Sequence, residues 1–219
     1  NEVIALVGPV GCGKTTLARS LGRMVNIEEG SLFLDDYDIT DLKLKDLRSY
    51  IALVPQEGYL FTETLTENIR YGNPEASMGK VEESAKEARM SDDIKGFPDG
   101  FKTLVGERGI TLSGGQRQRT ALSRALLVDS KIIVLDDALA SVDNKTASAI
   151  LQTIKKQFNK TVLMISHQLS AAAACDRILV MNEGKIVQEG THQNLINKDG
   201  LYKSMWEREK ATEKIQSDD

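Results

Sequence analysis

Apolar positions in this chain come in short, nearly continuous runs: Val3–Val7, Ser31–Leu34, Ile51–Val54, Ile132–Leu135 and Thr161–Ile165. Runs of this length, rich in β-branched side chains and bounded by polar or glycine-containing stretches, predict strands. They are apolar throughout rather than alternating, so both faces of each strand are buried, as in a parallel sheet covered by helices. Ile178–Met181 and Lys185–Gln188 flank Asn182-Glu183-Gly184 and predict a hairpin, an antiparallel addition to that sheet. Between Glu57 and Val128 the pattern turns polar and helix-favouring, as in Lys80–Met90 and Gly115–Leu127, with no strong strand. The expected organisation is an α/β core from residues 1–56 and 129–205, a helical subdomain inserted at 57–128, and a charged tail at 206–219 that frays as a helix.

Composition narrows the class. The chain has 219 residues, 41% of them apolar and 27% charged, which suits a globular domain and excludes whole-chain disorder. Its longest apolar runs are far short of the roughly 20 residues needed to cross a bilayer, so no direct membrane insertion is expected. Lys and Arg number 28 against 32 Asp and Glu, a net charge of −4 without a long basic block, so nucleic acid is not an expected partner. Cys12 and Cys175 lie far apart and outside any Cys/His cluster, which fits a reducing, cytosolic setting. The first strand follows Asn1 at once, without initiator Met or signal peptide, and the sequence reads as an excised piece of a longer protein.

The first strand runs into Gly8-Pro9-Val10-Gly11-Cys12-Gly13-Lys14-Thr15-Thr16 and then a helical run, Leu17–Met24. This is the G-x-x-x-x-G-K-[ST] phosphate loop in its strand, loop, helix setting. Gly8, Gly11 and Gly13 let the main chain turn tightly enough for successive N–H groups, those of Cys12 and Thr16 included, to face a phosphate. The helix N-terminus adds its positive end and Lys14 a point charge. Thr15 is placed to ligate Mg²⁺. A second metal-supporting group is expected beyond the end of a neighbouring strand, where Ile132–Leu135 leads into Asp136 and Asp137. Asp136 is the candidate to support the metal, and Asp137 to orient or activate the attacking water.

Just before that strand stands Leu112-Ser113-Gly114-Gly115-Gln116-Arg117-Gln118-Arg119, which resembles the signature of ATP-binding cassette nucleotide-binding domains. Gln56, in Val54-Pro55-Gln56, resembles the Q-loop; Ala140-Ser141-Val142-Asp143 the D-loop; His167, after Ile165-Ser166, the switch histidine. Order and spacing agree over almost the whole chain. Leu60–Ile69 and Thr103–Gly109 further resemble segments typical of exporter-type members. The resemblance implies a P-loop NTPase fold with a RecA-like core, and ATP with Mg²⁺ as cofactors. It also implies a head-to-tail dimer in which ATP lies between one subunit's phosphate loop and the other's signature. Ser113-Gly114-Gly115 opens a helix and so forms a second anion-binding helix start; the alternative is that Ser113 is only a helix cap. His167 follows the strand Thr161–Ile165, within reach of a γ-phosphate beside Asp136. Gln56 is placed to touch Mg²⁺ and the attacking water while joining core to insertion. Asp143 joins the nucleotide-contacting set by resemblance alone.

Three features depart from the family pattern. Fully hydrolytic members carry Glu after the metal-supporting Asp, and here it is Asp137; one methylene less withdraws the carboxylate by roughly 1.5 Å. A shift of about 1 Å in a catalytic group can cost on the order of a hundredfold, so Asp137 is expected to be a poor base. Ala140 stands where Ser is common. The combination resembles the degenerate-site half of a heterodimeric exporter, one that lends an intact signature to a partner's working site; a homodimer is the alternative. The family's adenine-stacking aromatic, and strands pairing with Ser31–Leu34, would lie upstream of Asn1, so the N-terminal strands are read as truncated and nucleotide affinity as reduced.

The leading expectation is a motor domain, closed by ATP and reopened by hydrolysis, coupled to a transmembrane domain fused upstream or associated. Its place would be the cytoplasmic face of the cell membrane, with Gly106-Glu107-Arg108 near the coupling contact by resemblance. One alternative is a module gated by ATP occupancy alone. Another is a soluble, non-transport cassette ATPase, against which the acidic balance and Thr103–Gly109 both count.

Overall fold

The computed structural model describes residues 2–106, 110–157 and 160–217. Glu107 and Arg108 of the expected coupling contact, and Gly109 at the end of the Thr103–Gly109 stretch, lie outside the described residues. In chain order the elements are β1 (Val3–Val7), α1 (Lys14–Leu21), β2 (Phe33–Leu34), β3 (Tyr37–Asp38), α2 (Leu44–Tyr50), β4 (Ile51–Val54), α3 (Leu65–Arg70), α4 (Met78–Glu87), α5 (Ser91–Gly96), a 3₁₀ turn (Gly100–Lys102), and α6 (Gly114–Leu127). Then follow β5 (Ile132–Asp136), α7 (Asn144–Gln157), β6 (Thr161–Ile165), α8 (Leu169–Ala172), β7 (Arg177–Asn182), β8 (Lys185–Gly190), α9 (His192–Ile196) and α10 (Leu201–Ser217).

The main sheet has the order β4-β5-β6-β1-β7-β8. Its first five strands run parallel, and β8 returns antiparallel from β7 as the expected hairpin. Successive residues of one strand serve opposite cores, which is why the runs are apolar throughout. On β1, Val3, Ala5 and Val7 pack with Ile133, Leu135, Val162 and Met164 on the side of α6, α7 and α8. Leu6 points the other way, with Val134 and Ile165, onto Ala18 of α1, Leu47 of α2 and Ile39. Register aligns the carboxyl ends of the strands that matter: Asp136 pairs with Ile165, and Ile165 with Leu6. Loops after β1, β5 and β6 therefore emerge side by side. The helices α3–α6 fall between β4 and β5, with α6 packed on α3 and α4.

Three boundaries differ from those the sequence predicts. The strand expected at Ser31–Leu34 shrinks to Phe33–Leu34 and pairs only with β3, because Ser31 is held in a turn by its bond to the Glu28 carbonyl. The helix expected at Leu17–Met24 begins at Lys14 and ends at Leu21, where Arg23 (φ 47°) reverses the chain and the Met24 N–H closes on the Arg19 carbonyl. The charged run from Trp206 does not start a fraying tail; it continues α10. Tyr202 is fully buried, and Trp206 lies against the His192 ring, centroids 4.5 Å apart and planes tilted by 56°. Among the described residues no helix is long and apolar enough to cross a membrane.

Candidate functional site

The loop after β1 is built for an anion. Gly11 and Gly13 take φ of 82° and 106°, left-handed values that a residue with a Cβ adopts only under strain. No side chain caps α1, so the N–H groups of its first turn stay directed into the loop. Lys14 is buried and donates from Nζ to the carbonyls of Gly8 (2.8 Å) and Pro9 (2.9 Å), with Cys12 Sγ at 3.7 Å. The ammonium thus sits inside the turn formed by Gly8, Pro9 and Cys12. Thr15 points its hydroxyl at β5, donating to Asp136 Oδ1 at 3.1 Å. These are hard oxygen donors in a pair. Among the described residues there is no cluster of three or more His, Cys, Asp or Glu that could cage a metal. That pattern fits Mg²⁺, which keeps waters and phosphate oxygens around one or two protein ligands.

Beside this pair, Asp136 and Asp137 are both buried at the end of β5. Asp137 has a left-handed backbone (φ 52°), a region Asp enters more readily than most residues, and its N–H is tied to the Ile165 carbonyl at 3.0 Å. Its carboxylate receives two long contacts, from Gln56 Nε2 at 3.4 Å and from the His167 main-chain N–H at 3.5 Å. The imidazole of His167 is exposed. Gln56, Thr15 and Asp136 line one cleft of about 690 Å³ with Arg19, Leu53 and Pro55.

The second glycine-rich turn lies at the start of α6. Ser113 is a helix cap there: its Oγ accepts the Gln116 N–H (3.2 Å), while Gln116 Oε1 accepts the Ser113 N–H (2.9 Å). Gln116 also donates from Nε2 to Asp93 Oδ1 at 2.9 Å, and Asp93 pairs with Arg119 at 2.8 Å, so α5 braces the turn. Gly114 and Gly115 begin the helix with their N–H groups beyond reach of intrahelical acceptors. A Cβ on Gly115 would stand 2.8 Å from the Ser141 carbonyl oxygen, so only glycine lets these two loops approach so closely. Asp143 caps α7: its Oδ1 accepts the Thr146 N–H at 2.9 Å, and this bond holds its carboxyl below the usual carboxylate range.

The structure therefore places two bonded groups side by side on consecutive residues: Thr15 with Asp136, and Gln56 and the His167 N–H with Asp137. Of the signature turn, Gly114 lines a second cleft of about 600 Å³, with Gln56, Gln118, Ala140 and Ser141 and without any residue of the Lys14 loop. Gln118 is the residue that sequence reasoning overlooked. It is buried, accepts the Ser141 N–H at Oε1 (2.9 Å) and donates from Nε2 to the Gln56 carbonyl (3.3 Å). Its place one helical step after the glycines was the available signal, but nothing in the spacing says where its two bonds go.

Fold and loop geometry define a P-loop nucleotide-binding domain with a second glycine-rich helix start. The profile of the family described as "ABC transporter" matches residues 1–140, and the chain belongs to that family. It is 41% identical over 212 residues to "ABC transporter B family member 24, mitochondrial" of Arabidopsis thaliana, covering 96% of this chain and 31% of that protein. It is 40% identical over 219 residues to "ATP-binding cassette sub-family B member 6" of Homo sapiens, covering 100% and 26%. A solved structure, "Structure of a bacterial Atm1-family ABC exporter with ATP bound", superposes with a TM-score of 0.90 at 40% identity, over 95% of this chain and 37% of that one. The chain thus spans well under half the length of these relatives.

Proposed function

We propose that this chain is the ATP-binding and hydrolysing domain of an ABC exporter, closing on a second such domain around ATP to drive transport. The observation that carries this reading is the Thr15–Asp136 pair beside the Lys14 loop, with Asp137 and Gln56 hydrogen-bonded next to it. The N–H groups of Gly8, Gly11, Cys12, Gly13, Lys14, Thr15 and Thr16 cradle the phosphates, with the Lys14 ammonium turning from its carbonyl partners toward the anion. Thr15, Asp136 and Gln56 hold Mg²⁺, which neutralises phosphate charge when bound. Asp137 and Gln56 orient the attacking water, and His167 faces the terminal phosphate. Ser113, Gly114, Gly115, Gln116 and Asp143 serve the nucleotide of the partner domain. The organisation is a core of residues 1–56 and 129–205, a signature-bearing helical subdomain at 57–128 and the remainder of α10 after the core, with a transmembrane domain fused or associated. In this reading the domain works at the cytoplasmic face of the cell membrane.

Its own site hydrolyses slowly. Asp137 is one methylene shorter than the Glu the family pattern carries there, and its bonds to Gln56 Nε2 and the His167 N–H are long, at 3.4 and 3.5 Å. A heterodimer follows, in which this chain lends Ser113–Gln116 to a partner that carries Glu after its Asp. The test is steady-state ATP hydrolysis by the intact protein, alone and with its partner, and by Asp137→Glu. The slow-site reading expects little turnover alone and a gain of roughly ten- to a hundredfold in Asp137→Glu; fast turnover by the wild-type chain alone contradicts it. The same weak contacts favour a second reading, gating by occupancy, whose mark is tight Mg·ATP retention that a partner never converts to turnover.

A further inference from the structure

The short helix α8 begins two residues after His167, and no side chain of its own loop caps it. The cap comes from 40 residues away: Glu209 on α10 accepts the Leu169 N–H at Oε2 (2.8 Å) and the Ser170 N–H at Oε1 (2.9 Å). A four-residue helix gains little from its own hydrogen bonds, so α8 is held by the burial of Leu169, Ala171 and Ala172 and by a carboxylate that satisfies two of its free N–H groups and so fixes where it starts. Residues 166–168 are tethered in series with it. The Gln168 N–H bonds Ser166 Oγ at 3.0 Å, Gln168 Nε2 reaches the Ala140 carbonyl at 3.4 Å, and the His167 N–H reaches Asp137 at 3.5 Å.

Glu209 is itself held in place. Tyr202, Trp206 and Glu209 share one face of α10 at i, i+4 and i+7 spacing. Tyr202 is fully buried, its N–H bonded to Gln188 Oε1 (2.9 Å) and its hydroxyl to His192 Nδ1 (2.8 Å). Trp206 lies on the His192 ring. A rigid anchor on α9 and β8 thus fixes the distance from α10 to α8. The His167 imidazole is exposed, so its position follows from its backbone rather than from packing around the ring.

We infer that Glu209 is a positioning residue for hydrolysis, capping α8 from the C-terminal helix and thereby fixing the loop that carries His167. This rests on the role proposed above for His167. The test is single-turnover hydrolysis of Mg·ATP by the intact protein, comparing wild type, Glu209→Ala, Glu209→Gln, His167→Ala and the His167→Ala/Glu209→Ala double variant. Glu209→Ala should lower the hydrolysis rate by roughly tenfold through misplacement of His167, with half-saturating ATP within about twofold, since the Lys14 loop is not part of the tether. Glu209→Gln, which keeps one acceptor oxygen, should recover part of the rate. In the His167→Ala background the second substitution should cost little more, because both act on one group.

An equal loss from Glu209→Ala in both backgrounds, or a loss expressed only as weaker ATP binding, overturns the inference and leaves the His167 reading standing. Wild-type hydrolysis by His167→Ala removes the reading itself and the inference with it. Should Glu209→Ala fail to fold, Glu209→Gln in the two backgrounds gives the same comparison.

Discussion

A single methylene separates what residue 137 is from what its position asks for. Asp suits the left-handed backbone there (φ 52°) better than Glu does. Lengthening the side chain in Asp137→Glu should therefore raise turnover while costing stability by about 1 kcal/mol in backbone strain, readable as a lower melting temperature beside a higher rate. Asp143 also has a structural effect, as the cap of α7. Its bond to the Thr146 N–H lowers its pKa in the folded state. A depressed folded pKa contributes stability that is complete above the unfolded value of about 3.9 and is lost as pH falls through the folded value. Urea unfolding followed between pH 2 and 6 should show this slope reduced in Asp143→Asn, which keeps the cap without the titration.

Among elements, α6 has the most to hold. Its start is the signature turn, its side face carries Gln118 to both Gln56 and Ser141, and α5 braces it through Asp93 and Arg119. Replacing Gln118 with Leu keeps the volume but removes its bonds to the Ser141 N–H and the Gln56 carbonyl, both on exposed residues, so a loss of about 1 kcal/mol in unfolding free energy is expected. Hydrolysis should fall in step, since Gln56 loses an anchor. How much of this was legible follows from what sequence encodes. Strands β1, β4, β5 and β6 were readable because burial on both faces leaves continuous apolar runs. The phosphate loop and the cap at Ser113 were readable because their geometry is local to a few residues. The shortened β2 was not, since its apolar residues find only a two-residue partner. Nor were Gln118 and Glu209, polar residues whose partners lie tens of residues away in chain and are set by packing alone.

At the scale of the whole molecule, the sheet brings three strand ends together and so gathers residues from positions 8 to 167 into one site, while the signature faces elsewhere. On the proposed reading, the two glycine-rich helix starts of one chain would each serve a phosphate, and a second domain would complete the site that this chain does not. All of it depends on the Lys14 loop gripping a triphosphate. The direct measurement is equilibrium binding of Mg·ATP to the intact protein and to Lys14→Ala under conditions where hydrolysis is negligible. We expect saturable binding by the wild type and an affinity at least roughly tenfold weaker when the buried ammonium is removed, about the loss of one charge-assisted hydrogen bond to phosphate. Equal affinity in the two proteins, or no saturable binding by either, would contradict the assignment of this loop and the function built on it.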